Sequence, residues 1–399
     1  MEKKARPVSA FAGVIIFAFV LYFIMEYLQE NVLTLSLIPD YVKMEGGAAE
    51  HKAAYWLMWV FGDMTEANFY KSYLGGAGLL IGSLIAHWLY KKNSKHQGIP
   101  IAYGSGIWPW VLGASVISLI LSNIIFGWNL AESGWFPTFV VFVSVPAATM
   151  LVYGKGWRNL FTGAATAVIL VVPLSRLVMV YVCAPLGIPG VAGSVFGMWA
   201  GGAVAFEIYK LLPWMHIPEV EEPSQADADD SKLPEYKHQH PSEFFVRRII
   251  ADFSEPCFAG NEIAGAGMLI GTIISWILCP DLPVYGSGTL PAVLLAEFLT
   301  GAIAIFLYWD EWMNRAWFPS FPSMVSVAPG VAWMYDGSLW AVVIAAVFGG
   351  FICPAVTDFI IRKLPPHWPV VIGTTFSMTV GTVIVGMFLI CAKGIVPGL

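Results

Sequence analysis

A block of 51 residues, 103–153, recurs without a gap 182 positions further along the chain. Tyr103-Gly104-Ser105-Gly106 returns as Tyr285-Gly286-Ser287-Gly288, and Pro109 as Pro291. Trp135-Phe136-Pro137 returns as Trp317-Phe318-Pro319, Val143-Ser144-Val145 as Val325-Ser326-Val327, and Tyr153 as Tyr335. Chance does not align so many positions at one offset, so the chain is a fused duplication and must fold as two copies of one unit. The likeness extends beyond the block. Asp63-x-Thr65-Glu66-x-x-Phe69 matches Asp252-x-Ser254-Glu255-x-x-Phe258, and Gly76-Ala77-Gly78 matches Gly265-Ala266-Gly267, both at an offset of 189. Near the end of each copy, Gly193-Ser194-x-Phe196-x-Met198 matches Gly373-Thr374-x-Phe376-x-Met378 at an offset of 180.

Both copies lie in a very apolar chain. Hydrophobic residues make up 57% of the 399 and charged residues 12%, with a mean hydropathy of +0.69. A soluble domain carries about 25% charged residues. Several apolar runs of about 20 residues are each long enough to cross a bilayer. The expected class is an all-α polytopic protein, integral to a bacterial-type plasma membrane. The five cysteines are scattered, without a CxxC or a histidine at ligand spacing, and read as small hydrophobes.

Eleven spans are expected, at 10–28, 73–90, 107–128, 135–153, 159–183, 191–212, 262–279, 289–309, 316–335, 338–361 and 369–393. Basic residues orient them. Lys3, Lys4 and Arg6 precede the first span, so the N-terminus is expected in the cytoplasm and the first span stays as a signal anchor. Lys91, Lys92 and Lys95, then Lys155 and Arg158, then Arg247 and Arg248, then Arg362 and Lys363 mark further inner ends. The C-terminus falls outside. Residues 54–69 are aromatic-rich but too short to cross, and are expected at the membrane interface. Residues 213–243 are acidic and poor in hydrophobes and read as a disordered cytoplasmic linker. The chain thus divides into an N-terminal helix and outer loop (1–53), a first repeat (54–212), the linker (213–243) and a second repeat (244–399).

Five spans per repeat is an odd number, so the second copy enters the membrane from the opposite side to the first. The two are expected to be inverted repeats. Prolines interrupt 135–153 and 316–335 at corresponding places, and such interrupted segments point to a site at the repeat interface. The plan resembles that of inverted-repeat transporters, urea-transporter-like and nucleobase-permease-like proteins among them. The resemblance covers architecture alone and carries no residue over.

Candidate site residues follow from that plan. Broken helices leave backbone groups free, and hydroxyls beside them can hold a desolvated solute: Thr138 and Ser144 in one copy, Ser320, Ser323 and Ser326 in the other. Ser105 and Ser287 sit in glycine turns ahead of proline-started helices, where free N–H groups favour an anion or a polar solute. The small-residue runs read as close helix packing, with Ser194 and Thr374 as exceptions. Charges inside spans are costly and therefore informative. Glu297 has no basic residue within a turn or two and is the first candidate for ion coupling, against a structural role bonded to neighbouring groups. Arg176 and Asp358 are equivalent at the offset of 182 and could pair across the repeats or open to an anion; Asp358 could instead pair with Arg362. Asp63, Glu66, Asp252 and Glu255 are read as caps and first-turn acids, and Asn123 and Arg315 as solvated span ends.

No Walker A, GxSxG or HExxH motif is present. The leading expectation is a secondary active transporter, not an enzyme, that moves a small polar solute, an anion among the candidates, by alternating access. Coupling would be to H+ or Na+, with no other cofactor and no metal. Alternatives are a channel-like facilitator without coupling, a membrane-embedded enzyme and a subunit of a translocating complex. Expected partners are a small-molecule substrate and membrane lipid, not nucleic acid, with a homo-oligomer left open.

Overall fold

A computed structural model describes residues 6–218 and 232–393, which are helical throughout apart from turns and loops. The principal helices of the first half are α1 (Val8–Asn31), α2 (Tyr41–Ala49), α3 (Ala53–Asp63), α4 (Tyr73–Lys91), α5 (Trp108–Phe126), α6 (Val145–Tyr153), α7 (Trp157–Leu186) and α8 (Val191–Tyr209). Those of the second are α9 (Lys232–Gln239), α10 (Pro241–Ser254), α11 (Glu262–Leu278), α12 (Leu290–Leu307), α13 (Val327–Met334), α14 (Leu339–Ile361) and α15 (Val370–Ala392).

Among the described residues eight helices are long and apolar enough to cross a membrane: α1, α5 (continued to Ser133), α4, α7, α8, α12, α14 and α15. The count rises to nine if α10 and α11, which meet at an 81° bend, form one broken span. The chain is therefore a multi-pass membrane protein, but three of the eleven expected spans are not among these eight: 262–279 is the 17-residue α11, and 135–153 and 316–335 hold no long helix. Within 135–153 the only regular α-helix is α6, of 9 residues, and within 316–335 it is α13, of 8. Prolines are the cause. Pro137 opens a 3-10 turn and Pro146 starts α6, while Pro319 and Pro322 hold the chain irregular before α13.

Two further expectations change. In residues 54–69, expected at the interface, the side chains of Trp59, Asp63, Glu66, Asn68 and Phe69 are buried in the protein. The expected linker 213–243 is helical from Lys232 onward, in α9 and the start of α10. Its acidic centre, 219–231, lies outside the described residues.

The halves meet along α4 and α11. Ser72 and Asn261, equivalent at the offset of 189, cap these helices: Ser72 accepts from the Gly75 N–H at 3.0 Å, and Asn261 from Ile263 at 2.8 Å. Their glycines leave no room for a Cβ. One at Gly78 would strike the backbone of Gly267, one at Gly267 that of Gly78, one at Gly271 that of Leu74, and one at Gly82 that of Ile263. These pairings run in opposite senses along the two helices, so α4 and α11 are antiparallel and cross where Gly78 meets Gly267. α8 and α15 pack likewise, with Trp199 edge-on to Phe376 at 5.2 Å. α1 lies outside this pair and packs on α12, where Phe11 stacks on Phe306 at 4.3 Å. Its remaining apolar side chains, Ile16, Val20 and Phe23 among them, are exposed as a lipid-facing helix requires.

Candidate functional site

Each half breaks its helix pair at the same place. Between α3 and α4, a 3-10 turn at Glu66–Asn68 is closed by Phe69 at φ 64°; between α10 and α11, one at Glu255–Cys257 is closed by Phe258 at φ 57°. A bulky residue in the left-handed region costs ~1–3 kcal/mol and persists only where its surroundings hold it. Here both phenylalanines are fixed by a buried charge cluster beside them.

In the first cluster Lys71, fully buried, donates to Asp63 and, at 2.7 Å, to Glu66. The second oxygen of Asp63 accepts from Thr138 Oγ1 at 2.7 Å and Asn123 Nδ2 at 2.8 Å. The other oxygen of Glu66 accepts from Trp135 Nε1 and, at 3.3 Å, from the Tyr285 hydroxyl of the other half. The second cluster repeats this. Arg248 donates to Asp252 at 2.5 Å and to Glu255. Asp252 accepts from Ser320 Oγ at 2.7 Å, and Glu255 from Trp317 Nε1 at 2.8 Å. The phenol of Tyr103, again from the other half, lies against Glu255. Each cluster sets two carboxylates against one cation. Buried charges of this kind are tolerated only when paired and hydrogen-bonded, as these are.

The Tyr-Gly-Ser-Gly turns aim the tyrosines. Tyr103 and Tyr285 both have φ 58°, followed by Gly104 at 71° and Gly286 at 72°, then Gly106 at 69° and Gly288 at 73°. Glycine adopts these angles without steric cost. The turn swings each ring toward the acid of the opposite half.

Between the clusters lies a cavity of about 650 Å³, within the range of small-molecule sites. Both members of several equivalent pairs line it: Glu66 and Glu255, Phe69 and Phe258, Tyr103 and Tyr285, Trp135 and Trp317, Met198 and Met378. Among the described residues, the only Asp, Glu, Lys, Arg or His side chains on its wall are Glu66 and Glu255.

The hydroxyls expected to bind solute sit behind this wall. Thr138 and Ser320 support the aspartates. Ser144 donates to the Val140 carbonyl at 2.5 Å and Ser326 to that of Pro322 at 2.6 Å, each closing its own turn. Ser323 is buried with no hydrogen-bond partner, Ser105 is exposed, and Ser287 donates to the Val284 carbonyl at 2.7 Å. None of the seven reaches the cavity; Ser194 and Thr374 do.

The expected Arg176–Asp358 pair does not form. Asp358 accepts from Arg315 at 2.5 Å and, one turn away, from Arg362 at 2.8 Å. Arg176 is half-buried, with its guanidinium 5.4 Å from the Phe136 ring centre, and is not on the cavity wall. An anion in the cavity would meet no cation there. Asn123 and Arg315, expected in solvent, are instead a buried ligand of Asp63 and a partner of Asp358.

Glu297, on α12, is fully buried. It accepts from Asn68 Nδ2 at 3.2 Å and from the Tyr70 hydroxyl. It is off the cavity wall, but its two partners flank Phe69, which is on it.

Glu66 and Glu255, read in the sequence as caps and first-turn acids, line the site, and so do Trp135 and Trp317 of the repeated block. The available signal was the recurrence of an acidic pair in both copies of so apolar a chain. No protein-family model matches the chain, and no curated protein matches it.

Proposed function

We propose that the protein is a secondary active transporter built from two inverted repeats, and that a solute crosses by alternating access through the central cavity. The observation that carries this reading is the cavity wall, drawn from equivalent residues of both halves. A carrier whose site lies between inverted repeats needs such a wall, because each repeat takes its turn as the gate. The crossing of α4 and α11 supports the inversion. Under a two-fold axis in the membrane plane, a helix meets its own equivalent antiparallel, as Gly78 meets Gly267. An N-terminus inside and a C-terminus outside, in a bacterial-type plasma membrane, belong to the same reading.

Coupling to H+ or Na+ is assigned to Glu297. Its hydrogen-bond partners, Asn68 and Tyr70, are neutral, so a proton or a cation must offset its charge in the span. Gain or loss of that ion re-aims Asn68 and Tyr70 and, between them, Phe69 in the cavity wall. The equivalent position of the first repeat is Ser115, so one repeat alone carries the device.

The test is thiol access. Replace the five native cysteines, place one cysteine at residue 194 on the cavity wall, and label sealed vesicles of both orientations with an impermeant reagent. Alternating access expects labelling from either side, with the balance between sides shifted by pH or Na+ and fixed in Glu297→Gln. Labelling from one side only, under every condition, would rule out alternating access. Ion-independent solute flux unchanged in Glu297→Gln would favour the channel-like facilitator.

A further inference from the structure

We infer that the solute is an organic cation with an apolar body, held between Glu66 and Glu255 and against the aromatic faces around them. The inference rests on the cavity being the transport site and names what that site selects.

Three observations carry it. Among the described residues the only Asp, Glu, Lys, Arg or His on the wall are these two glutamates, with no basic side chain to receive an anion. Neither acid has a basic partner of its own. Glu66 shares Lys71 with Asp63, and Glu255 shares Arg248 with Asp252, so each cluster keeps an excess of one acid.

Most of the wall's polar hydrogens are already engaged, the Tyr41 hydroxyl and the Trp333 indole N–H apart. The indole N–H groups of Trp135 and Trp317 and the hydroxyl of Tyr285 point at the glutamates. The hydroxyls of Thr374 and Thr375 bond the Val371 carbonyl at 3.0 and 2.6 Å. A sugar, a nucleobase or an anion would therefore find few free donors. What the wall does offer is aromatic faces, which attract a cation through the ring quadrupole, and two acids from clusters that hold one base each, in a site of low polarity.

The experiment uses three probes of similar shape and different charge: tetraphenylphosphonium, triphenylphosphine oxide and tetraphenylborate. Each is equilibrated with the full-length protein in lipid nanodiscs, and binding to empty nanodiscs is subtracted. Tetraphenylphosphonium is expected to bind saturably and at least tenfold more tightly than either of the others. Glu66→Gln and Glu255→Gln, which leave one carboxylate against one cation in their cluster, should each weaken it about tenfold. Equal or tighter binding of the neutral or anionic probe, or no saturable binding of any, would overturn the assignment. So would unchanged binding in both variants, provided they melt like the wild type. The wild-type comparison stands even if a variant does not fold. Thiol access at residue 194 reports on transport separately, so an overturned charge class leaves that reading to its own test.

Discussion

Lys71 and Arg248 close equivalent buried clusters from opposite sides of the acid pair in the sequence. Lys71 lies eight residues after Asp63, whereas Arg248 lies four before Asp252. Gly260 stands where Lys71 would be in the second repeat, and Trp59 where Arg248 would be in the first. Both substitutions fit the geometry. The Lys71 ammonium sits over the Trp59 ring at 3.5 Å, and a Cβ on Gly260 would meet the Glu255 carboxylate at 2.7 Å. Two acids and one cation are what the two helix breaks have in common, not the position of the cation.

Lys71→Met should therefore destabilise the protein strongly, because it leaves Asp63 and Glu66 buried without a counter-charge. Removing one partner of a buried pair costs about 3–5 kcal/mol. The double change Trp59→Arg with Lys71→Gly rebuilds the second repeat's arrangement in the first, and should recover most of that loss. Thermal melting of the purified variants checks both. A double variant no more stable than Lys71→Met would show that the two clusters are not interchangeable.

At the crossing of α4 and α11 the packing tolerates no side chain. Gly78→Ala or Gly267→Ala drives a Cβ into the facing backbone, which must move. Overpacking of this kind costs typically ~1–3 kcal/mol. Gly13→Ala on α1, where a Cβ would meet nothing within 4 Å, is the control and should melt like the wild type. Equal melting of all three would place the contact between the halves elsewhere.

The long spans were legible because a run of about 20 apolar residues has few other uses. The same criterion overcounted at 135–153 and 316–335, where composition suits a span but prolines leave helices of 9 and 8 residues. The prolines themselves were readable and marked both segments as broken. The hydroxyls in them misled. Ser144 and Ser326 recur in both copies, but a serine at a helix start bonds its own turn as readily as a solute, and here both do. The acids were visible as a repeated pattern but were assigned local roles. The chain does not reveal that Tyr285 folds back to Glu66, and the displaced cations removed the one cue that alignment could have given. Asp358 had a partner one turn away in Arg362, and that proximity prevailed over its symmetry with Arg176.

Glu297→Gln and Glu297→Leu should separate shape from charge. Asn68 and Tyr70 both donate to this carboxylate. Glutamine keeps one acceptor and introduces a donor facing donors, so one bond is lost, at about 1–2 kcal/mol. Leucine strands both Asn68 and Tyr70 in a buried site and should cost more. Melting orders the two. In vesicles, the coupling role expects solute flux in Glu297→Gln to persist but to lose its dependence on the ion gradient. Flux that still follows the gradient would remove Glu297 from the coupling step.

Tyr285→Phe tests the contact between the halves. The hydroxyl reaches Glu66 from the opposite repeat at 3.3 Å, while the ring lines the cavity beside Trp333 at 5.4 Å. Phenylalanine keeps the ring and removes the donor. A neutral hydrogen bond contributes about 0.5–1.5 kcal/mol, and one to a charged group somewhat more, so stability should fall by about 1 kcal/mol. Glu66, a lining residue of the cavity, then has one donor fewer. Binding of tetraphenylphosphonium should therefore tighten, by about fivefold if the lost bond of about 1 kcal/mol is fully recovered by the cation. Tyr103→Phe should act in the same direction through Glu255. Weaker cation binding in both variants would mean that the hydroxyls hold the glutamates in place for the solute and do not compete with it.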